Sequence, residues 1–375
     1  MAVRVAIVTE SFLPQVNGVT NSVLRVVEHL HARGHQALIV APGTVGPDSY
    51  LHAEVRRVRA VDLPVISSLP IGVPSPKVFN ALAEFEADVV HLASPFVLGA
   101  AGLRAARRLG VPTVAVYQTD VAGFAASYGL KHGARAAWRW IRRLHGLADR
   151  TLAPSLASVA ALTEHGVPRV YRWARGVDTE LFAPWHADPG LRAELAPNGE
   201  LLVGYVGRLA PEKQVHRLAA LHGLPGVRVV VVGDGPDEPA LRKLLPDAAF
   251  LGFRTGKELA AAYASLDVFV HTGPHETFCQ AVQEALACGV PAIAPNAGGP
   301  RDLVEHGRSG FLVEPYDDAR FAAGLVSGVE FLRQDAPRER FGLAARDSVL
   351  DRTWPAVCDE LLIHYAQVSR ALLAA

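Results

Sequence analysis

Short apolar runs alternate with helix-length stretches along this chain, and after a turn-rich connector near residue 175 the alternation begins again. Residues 3–8 (VRVAIV) form a first apolar run, followed by the polar loop TESFLPQVNG and a helical stretch from about Val19 to Arg33. Gly34 closes that helix and Gln36–Ala41 resumes a strand. Strand, glycine-bearing loop, helix, strand is how a doubly wound parallel sheet opens. The stretch from Gly43 to Lys77, rich in Pro, Val and Ser, carries no clear period. Alternation returns with strands at Asp88–Leu92, Thr113–Tyr117, Arg150–Ala153 and Arg169–Trp173. Helices fall at Val97–Leu109, Ala134–His145 and Ser155–His165.

The connector ARGVDTELFAPWHADPG marks a domain boundary by its prolines and glycines. Beyond it Leu201–Gly207 reads as a strand, and RLAPEK leads into a helix at about Gln214–His222. Val227–Val232 is apolar throughout apart from Arg228, as a parallel strand covered on both faces should be. Strands at Phe250–Phe253, Asp267–Thr272 and Ala292–Pro295 are separated by helices at Gly256–Ser265 and Phe278–Cys288. The fold class is therefore α/β, with two doubly wound, Rossmann-like domains over 1–175 and 176–353. An amphipathic helix from about Trp354 to Ala371 follows.

Charge excludes one class of partner. Basic and acidic residues balance at 37 each, so no global field invites nucleic acid. Cys279, Cys288 and Cys358 show neither metal-ligand spacing nor a disulfide framework, which suits a reducing compartment. No apolar run approaches the roughly 18 residues of a membrane span. The start, MAVRVAIVTESF, is interrupted by Glu10 too early for a signal peptide and reads as a strand, so a cytoplasmic location is expected.

The chemistry concentrates in HETFCQAVQEALACGVP, His275 to Pro291. Glu276 and Glu284 bracket it with seven residues between them. Thr277 is a good N-cap, Gly289 suits the left-handed C′ position, and Pro291 stops continuation. Ala281, Glu284, Ala285 and Cys288 then share one helix face, made of small residues with one acid in it. Such a helix is either an ordinary surface helix with a solvated Glu, or an N-terminus aimed at an anion or at sugar hydroxyls.

Ligands of open α/β sheets bind beyond the C-terminal ends of strands. Those positions are Thr9–Gly18, Gln118–Asp120, Arg208–Lys213, Gly233–Gly235, Phe253–Arg254 and Thr272–Glu276. Arg208 and Lys213 would grip a pyrophosphate at the head of a helix, or else are two solvated surface cations. GDG at 233–235 is turn chemistry first. No GxGxxG follows the first strand, which argues against an NAD-dependent dehydrogenase.

Together, YVGRLAPEK at 205–213, HTGPHETFCQAVQEALACGVPAI at 271–293 and NAGGPRDLVEHGRSGFLV at 296–313 resemble the retaining glycosyltransferases with two Rossmann-like domains, the GT4 or group 1 family of GT-B architecture. TESFLPQVNGVTNSV, VPTVAVYQTD, DRTLAPS and RGVDTELFAP match as well, so the resemblance spans nearly the whole chain. It is nearest to actinobacterial α-mannosyltransferases that use GDP-mannose and act on glycolipids.

The resemblance implies two domains facing across a cleft, with residues 354–375 crossing back to the first. It implies that Arg208 and Lys213 hold the donor diphosphate near Gly207 and Gly233, and that Glu284 takes the ribose hydroxyls. Phe253 and Arg254 would lie along the base. Glu276, Thr277 and the amides of Phe278, Cys279 and Gln280 would bind the sugar. Asn17 and Gly18 would complete the phosphate site. Retention without a protein nucleophile implies a front-face route in which positioning and leaving-group stabilisation do the work, with no metal or other cofactor.

Many relatives carry histidine where this chain has Gln118, which can hydrogen-bond but cannot carry a charge. Gln118 and the nearby Asp120 are the expected catalytic contributions of the first domain, beside Arg208, Lys213 and Glu276. On the acceptor side, Lys131, Arg135, Arg139, Arg142 and Arg143 recur at helical spacing with Trp138 and Trp140 among them. That helix either rests on an anionic membrane surface or is a solvated basic helix whose aromatics pack inward. The partners expected are a nucleotide sugar and a lipid or glycolipid acceptor. Sulfolipid and glucosyl relatives make a UDP-activated sugar the alternative donor; an epimerase or a non-catalytic nucleotide-sugar binder fits the fold less well. The scattered histidines show no ligand spacing and are read as structural.

Overall fold

The structure, a computed structural model, describes residues 2–63, 66–120 and 131–369. It divides the chain into two compact units, Met1–Arg175 with Trp354–Ala375, and Gly176–Thr353. The chain thus leaves the first unit once, builds the second without interruption, and returns.

The first unit is built on strands β1 (Arg4–Thr9), β2 (Gln36–Pro42), β3 (Ser49–Tyr50), β4 (Ala53–Val58), β5 (Ala60–Leu63), β6 (Ile66–Gly72), β7 (Val89–Ala93), β8 (Thr113–Val116), β9 (Arg150–Ala153) and β10 (Val170–Arg172). Eight of them form one sheet in the order β10-β9-β8-β7-β1-β2-β4-β3, parallel except for the short β3–β4 pair. β5 and β6 pair as a separate antiparallel ribbon. β4 lies in the proline-rich stretch that shows no clear period. Its sequence AEVRRV buries Ala53, Val55 and Val58 and exposes Glu54 and Arg56, so it is a half-covered strand whose three charged residues keep it from reading as an apolar run. The closing helix Trp354–Val368 packs within this unit. Trp173 Nε1 donates to Val357 O at 2.7 Å, the Tyr365 hydroxyl meets His91 Nδ1 at 2.6 Å, and Asp359 bonds His29 and Arg33. Burial pushes the His91 imidazole down to about 3, so it sits in this core neutral.

The second unit has six parallel strands, β11 (Leu201–Val206), β12 (Val227–Val232), β13 (Ala249–Gly252), β14 (Val268–Val270), β15 (Ala292–Pro295) and β16 (Gly310–Val313), in the order β13-β12-β11-β14-β15-β16. β11 is buried from end to end, and β12 from Val229 onward. The helices Asp318–Leu332 and Asp335–Asp347, with β16, extend the doubly wound pattern beyond the last strand expected from sequence. Both units place their core between the sheet and the helices on either face, in separate clusters around Ile7, Leu92 and Tyr205.

One backbone contact fixes the loops above β11 and β12. A Cβ on Gly233 would lie 2.1 Å from Gly207 O, at a backbone φ of +129° that side-chain-bearing residues avoid. The Leu209 amide donates to Asp234 O at 2.7 Å and the Asp237 amide to Leu209 O at 3.0 Å. GDG is therefore a seat for the neighbouring loop. Gly233→Ala should cost the second unit about 2–3 kcal/mol, measured by urea unfolding. Wild-type stability would show that the two loops are not packed this way.

Candidate active site

The strand order of the second unit reverses between β11 and β14. The chain steps from β11 outward through β12 to β13, then returns to the other side of β11. At such a switch point the loops leaving the two central strands diverge to opposite faces and leave a crevice. Those loops carry Gly207–Lys213 and His271–Cys279, so the topology brings together the two stretches that carry the charges.

The first loop differs from expectation. Instead of an α-helix at Gln214–His222 there are two 3-10 segments, Pro211–Lys213 and Val215–Leu221. Gln214 lies between them at φ 52°, a left-handed backbone that breaks an α ladder. No α-helix stands behind Arg208 and Lys213, so no α-helix dipole adds to their charge. Arg208 is exposed and bonds Glu212, which is buried.

The second loop also departs from its expected form. Thr277 is not the N-cap: the helix opens three residues later and spans Gln280–Ala287, with Cys279 at the cap position. Cys279 has φ 80° and ψ 75°, and its side chain makes no capping bond. The cause is the turn Ala297–Pro300 pressed against residues 276–278. The Gly299 amide donates to Glu276 O at 2.8 Å, and a Cβ on Gly299 would lie 2.0 Å from Phe278 O. This contact holds the segment out of the helix. The far end follows expectation, since Gly289 takes φ 71° and the Val290 amide closes onto Ala285 O at 3.0 Å.

Lys213 Nζ donates to Glu276 Oε1, joining the two loops. Burial alone would lower the Lys213 ammonium and raise the Glu276 carboxyl. Their mutual charge wins on both sides: Lys213 is raised and Glu276 is held far below the usual carboxylate range. His271 adds to this, with Nε2 3.4 Å from the same oxygen of Glu276. Its buried ring stacks on Tyr205 with the planes 12° apart, and the Tyr205 hydroxyl donates to Arg208 O at 3.1 Å. His271 is thus not a scattered structural histidine. The sequence signal for it is its place as the first residue after β14, one ahead of the stretch Thr272–Glu276.

Glu284 stands two turns away in a different environment. Desolvation pushes its carboxyl up to about 8, against the lowering influence of the Tyr263 hydroxyl and the Gln280 side chain. Gln280 Nε2 donates to Gly176 O at 3.0 Å. Phe278 and Cys279 are buried, Thr277 and Gln280 partly so. Phe253 and Arg254 follow β13 and are exposed, Phe253 at 61%. An exposed aromatic beside a guanidinium offers a planar group a face to lie on.

In the first unit, Asn17 caps the helix Gly18–Ala32. Its Oδ1 accepts from the Val19 and Thr20 amides at 3.0 Å each, and its Nδ2 donates to Ser11 Oγ at 2.7 Å. Gln118 is buried and accepts from Arg175 Nη2 at 2.6 Å, while Arg175 Nη1 donates to Gly18 O at 2.7 Å. Arg175, the last residue before the second unit, is a further residue that the sequence reading passed over. Asp120 accepts from the Tyr117 hydroxyl at 3.1 Å. Of the basic helix, Lys131–Leu147, Arg135, Arg139, Arg142 and Arg143 are exposed. Trp140 Nε1 donates to Phe96 O at 3.0 Å and Trp138 stacks on His165 at 3.7 Å, so both aromatics pack inward. The Lys131 and His132 side chains lie outside those described.

The sequence profile of Glycosyltransferase Family 4 matches residues 16–181, and that of Glycosyl transferases group 1 matches residues 190–348. A GDP-mannose-dependent alpha-mannosyltransferase of Mycobacterium tuberculosis is 58% identical over 371 residues, covering 98% of this chain and 97% of that protein. The chain is a group 1 glycosyltransferase. A phosphatidyl-myo-inositol mannosyltransferase of Mycobacterium leprae is 30% identical over 94% of this glycosyltransferase and 93% of its own length. Among solved structures, a sucrose-phosphate synthase from Thermosynechococcus elongatus superposes with a TM-score of 0.78 at 20% identity, over 98% of this chain and 100% of that one. That likeness shows the GT-B fold of two Rossmann-like units.

The charge state of Glu284 has a measurable consequence. Its folded-state pKa of about 8 lies above the 4.5 of an exposed carboxyl, so the folded protein holds this proton more tightly than the unfolded chain. The contribution is therefore fully present below 4.5 and is lost as pH rises through about 8. Glu284→Gln, which cannot ionise, should melt as wild type does at pH 5 and several degrees higher at pH 9, at about 2–4 °C per kcal/mol. An equal difference at both pH values would mean that Glu284 is not held protonated.

Proposed function

We propose that this glycosyltransferase moves mannose from GDP-mannose to a lipid or glycolipid acceptor, with retention at the anomeric carbon and with no divalent metal in the chemistry. The observation that carries the reading is the Lys213–Glu276 pair at the switch point, with Arg208 on the same loop as Lys213 and paired to Glu212. The pair sets a cation that suits a diphosphate beside an acid that suits sugar hydroxyls, on loops at the C-terminal ends of the two central strands. The choice of mannose and guanine is supported by the identity to the Mycobacterium tuberculosis relative, and that of a lipid acceptor by the phosphatidyl-myo-inositol relative.

The mechanism follows from charge. The donor diphosphate draws Lys213 away from Glu276 and recruits Arg208. Glu276, released from its partner, accepts hydrogen bonds from the sugar, and the first-turn amides of the helix Gln280–Ala287 lack intrahelical acceptors and can donate to the ring oxygens. The acceptor hydroxyl oxygen attacks C1 on the face from which the diphosphate departs. The C1–O bond to the β-phosphate breaks, the electron pair stays on GDP, and the acceptor proton passes to that phosphate oxygen. Two protein cations neutralise the leaving group, so the charge is met without a metal. Glu284 suits the ribose, since a carboxyl that either donates or accepts can serve a diol.

The four exposed arginines of Lys131–Leu147 fit an anionic membrane surface through charge alone, because the tryptophans of that helix are turned inward. Radiolabelled GDP-mannose and UDP-sugars, each with a cell-envelope lipid extract in anionic or neutral vesicles, test the donor, the transfer and the surface. Label should enter lipid from GDP-mannose, fastest from anionic vesicles. Transfer only from a UDP-sugar would overturn the donor, tight nucleotide binding without transfer the catalytic role, and equal rates in neutral vesicles the charged surface.

A further inference from the structure

His271, Glu276 and Cys279 each offer one ligand atom, and these atoms lie within 4.8 Å of one another. No spacing in the sequence announces them; the strand end at β14 and the left-handed cap at Cys279 bring them together. His271 is 2% exposed, and among the described residues neither of its ring nitrogens completes a well-formed hydrogen bond. This buried imidazole faces the Glu276 carboxylate, with Nε2 3.4 Å from Oε1, and the Cys279 thiol.

We infer that this trio is a binding site for a borderline-soft divalent cation of the Zn²⁺ class, and that the cation inhibits by taking the place of the Lys213 ammonium on Glu276. One imidazole, one carboxylate and one thiolate are a ligand set that zinc accepts, with a fourth position left for water. In a tetrahedral site with bonds of about 2.1 Å, nitrogen and oxygen ligands stand about 3.4 Å apart. His271 Nε2 and Glu276 Oε1 are 3.4 Å apart already. Lys213 is the competitor, since it bonds the same carboxylate oxygen, and with its side chain 25% exposed it has a route to solvent. A metal here would hold Glu276 and displace Lys213, the two groups that the donor needs. The metal binding stands by itself; the inhibition rests on the donor reading above.

Cobalt titration of the full chain, followed by the thiolate-to-cobalt absorption, together with zinc competition against a chromophoric chelator, tests the site. Wild type should bind one cobalt ion with a thiolate band that zinc abolishes. Cys279→Gly should lose the band and bind zinc at least about tenfold more weakly. Glycine suits φ 80° better than cysteine does, so this variant keeps the backbone. His271→Asn should weaken zinc binding similarly, and Cys358→Ser, in the other unit, should match wild type. Lys213→Met should bind zinc more tightly, a change that no merely structural role of the trio produces. No band in wild type, or unchanged zinc affinity in Cys279→Gly, would overturn the site. Zinc that binds wild type but displaces no GDP-mannose would keep the site, overturn the inhibition and count against the donor reading.

Discussion

The ion pair between Lys213 and Glu276 is the interaction on which the site depends. It joins the loop after β11 to the loop after β14, the two loops that the reversal of strand order sets apart. Each partner is partly withdrawn from water, and either one alone would be left as a poorly compensated charge. Together they hold the charged state of both groups, raising Lys213 and lowering Glu276. In the proposed reading the diphosphate takes up the Lys213 charge and the sugar hydroxyls hydrogen-bond Glu276, so the pair that holds the empty site together is the one the donor would divide.

Around this pair the backbone does the positioning. Gly233 against Gly207 fixes the cationic loop, and Gly299 against Phe278 fixes the acidic one. Both contacts tolerate no Cβ, which ties the charges to the sheet through main chain and spares them the freedom of long side chains. His271 is locked in place by stacking on Tyr205, and Tyr205 in turn reaches the carbonyl of Arg208. The second unit thus has one continuous path from Arg208 through Tyr205 and His271 to Glu276.

Much of this was legible in the sequence. The buried parallel strands announced themselves by apolar runs, as VRVVVV at β12 does, and the strand-end rule located the loops of Arg208 and Glu276. What escaped had physical causes. β4 is half-covered, and Glu54, Arg56 and Arg57 break up the apolar run that marks the buried strands. The expected cap at Thr277 and helix at Gln214 obeyed local preference, but tertiary backbone contacts at Gly299 and the left-handed Gln214 overruled it. His271, Arg175 and the gathering of Cys279 with His271 depend on side chains that meet only after folding, and no local pattern encodes them. Trp138 and Trp140 pack inward, as one of the two readings of the basic helix expected, so any role of that helix at a surface falls to its exposed arginines.

The division of labour within the ion pair can be measured by calorimetry on Glu276→Gln, comparing GDP with GDP-mannose. Without the Glu276 charge, Lys213 leaves no partner behind when it reaches the diphosphate, so GDP should bind at least as tightly as to wild type. GDP-mannose loses its charged sugar contact, and its advantage over GDP should fall by about tenfold or more. Both nucleotides weakening to the same extent would contradict the account, because Glu276 would then serve only to hold the loops together.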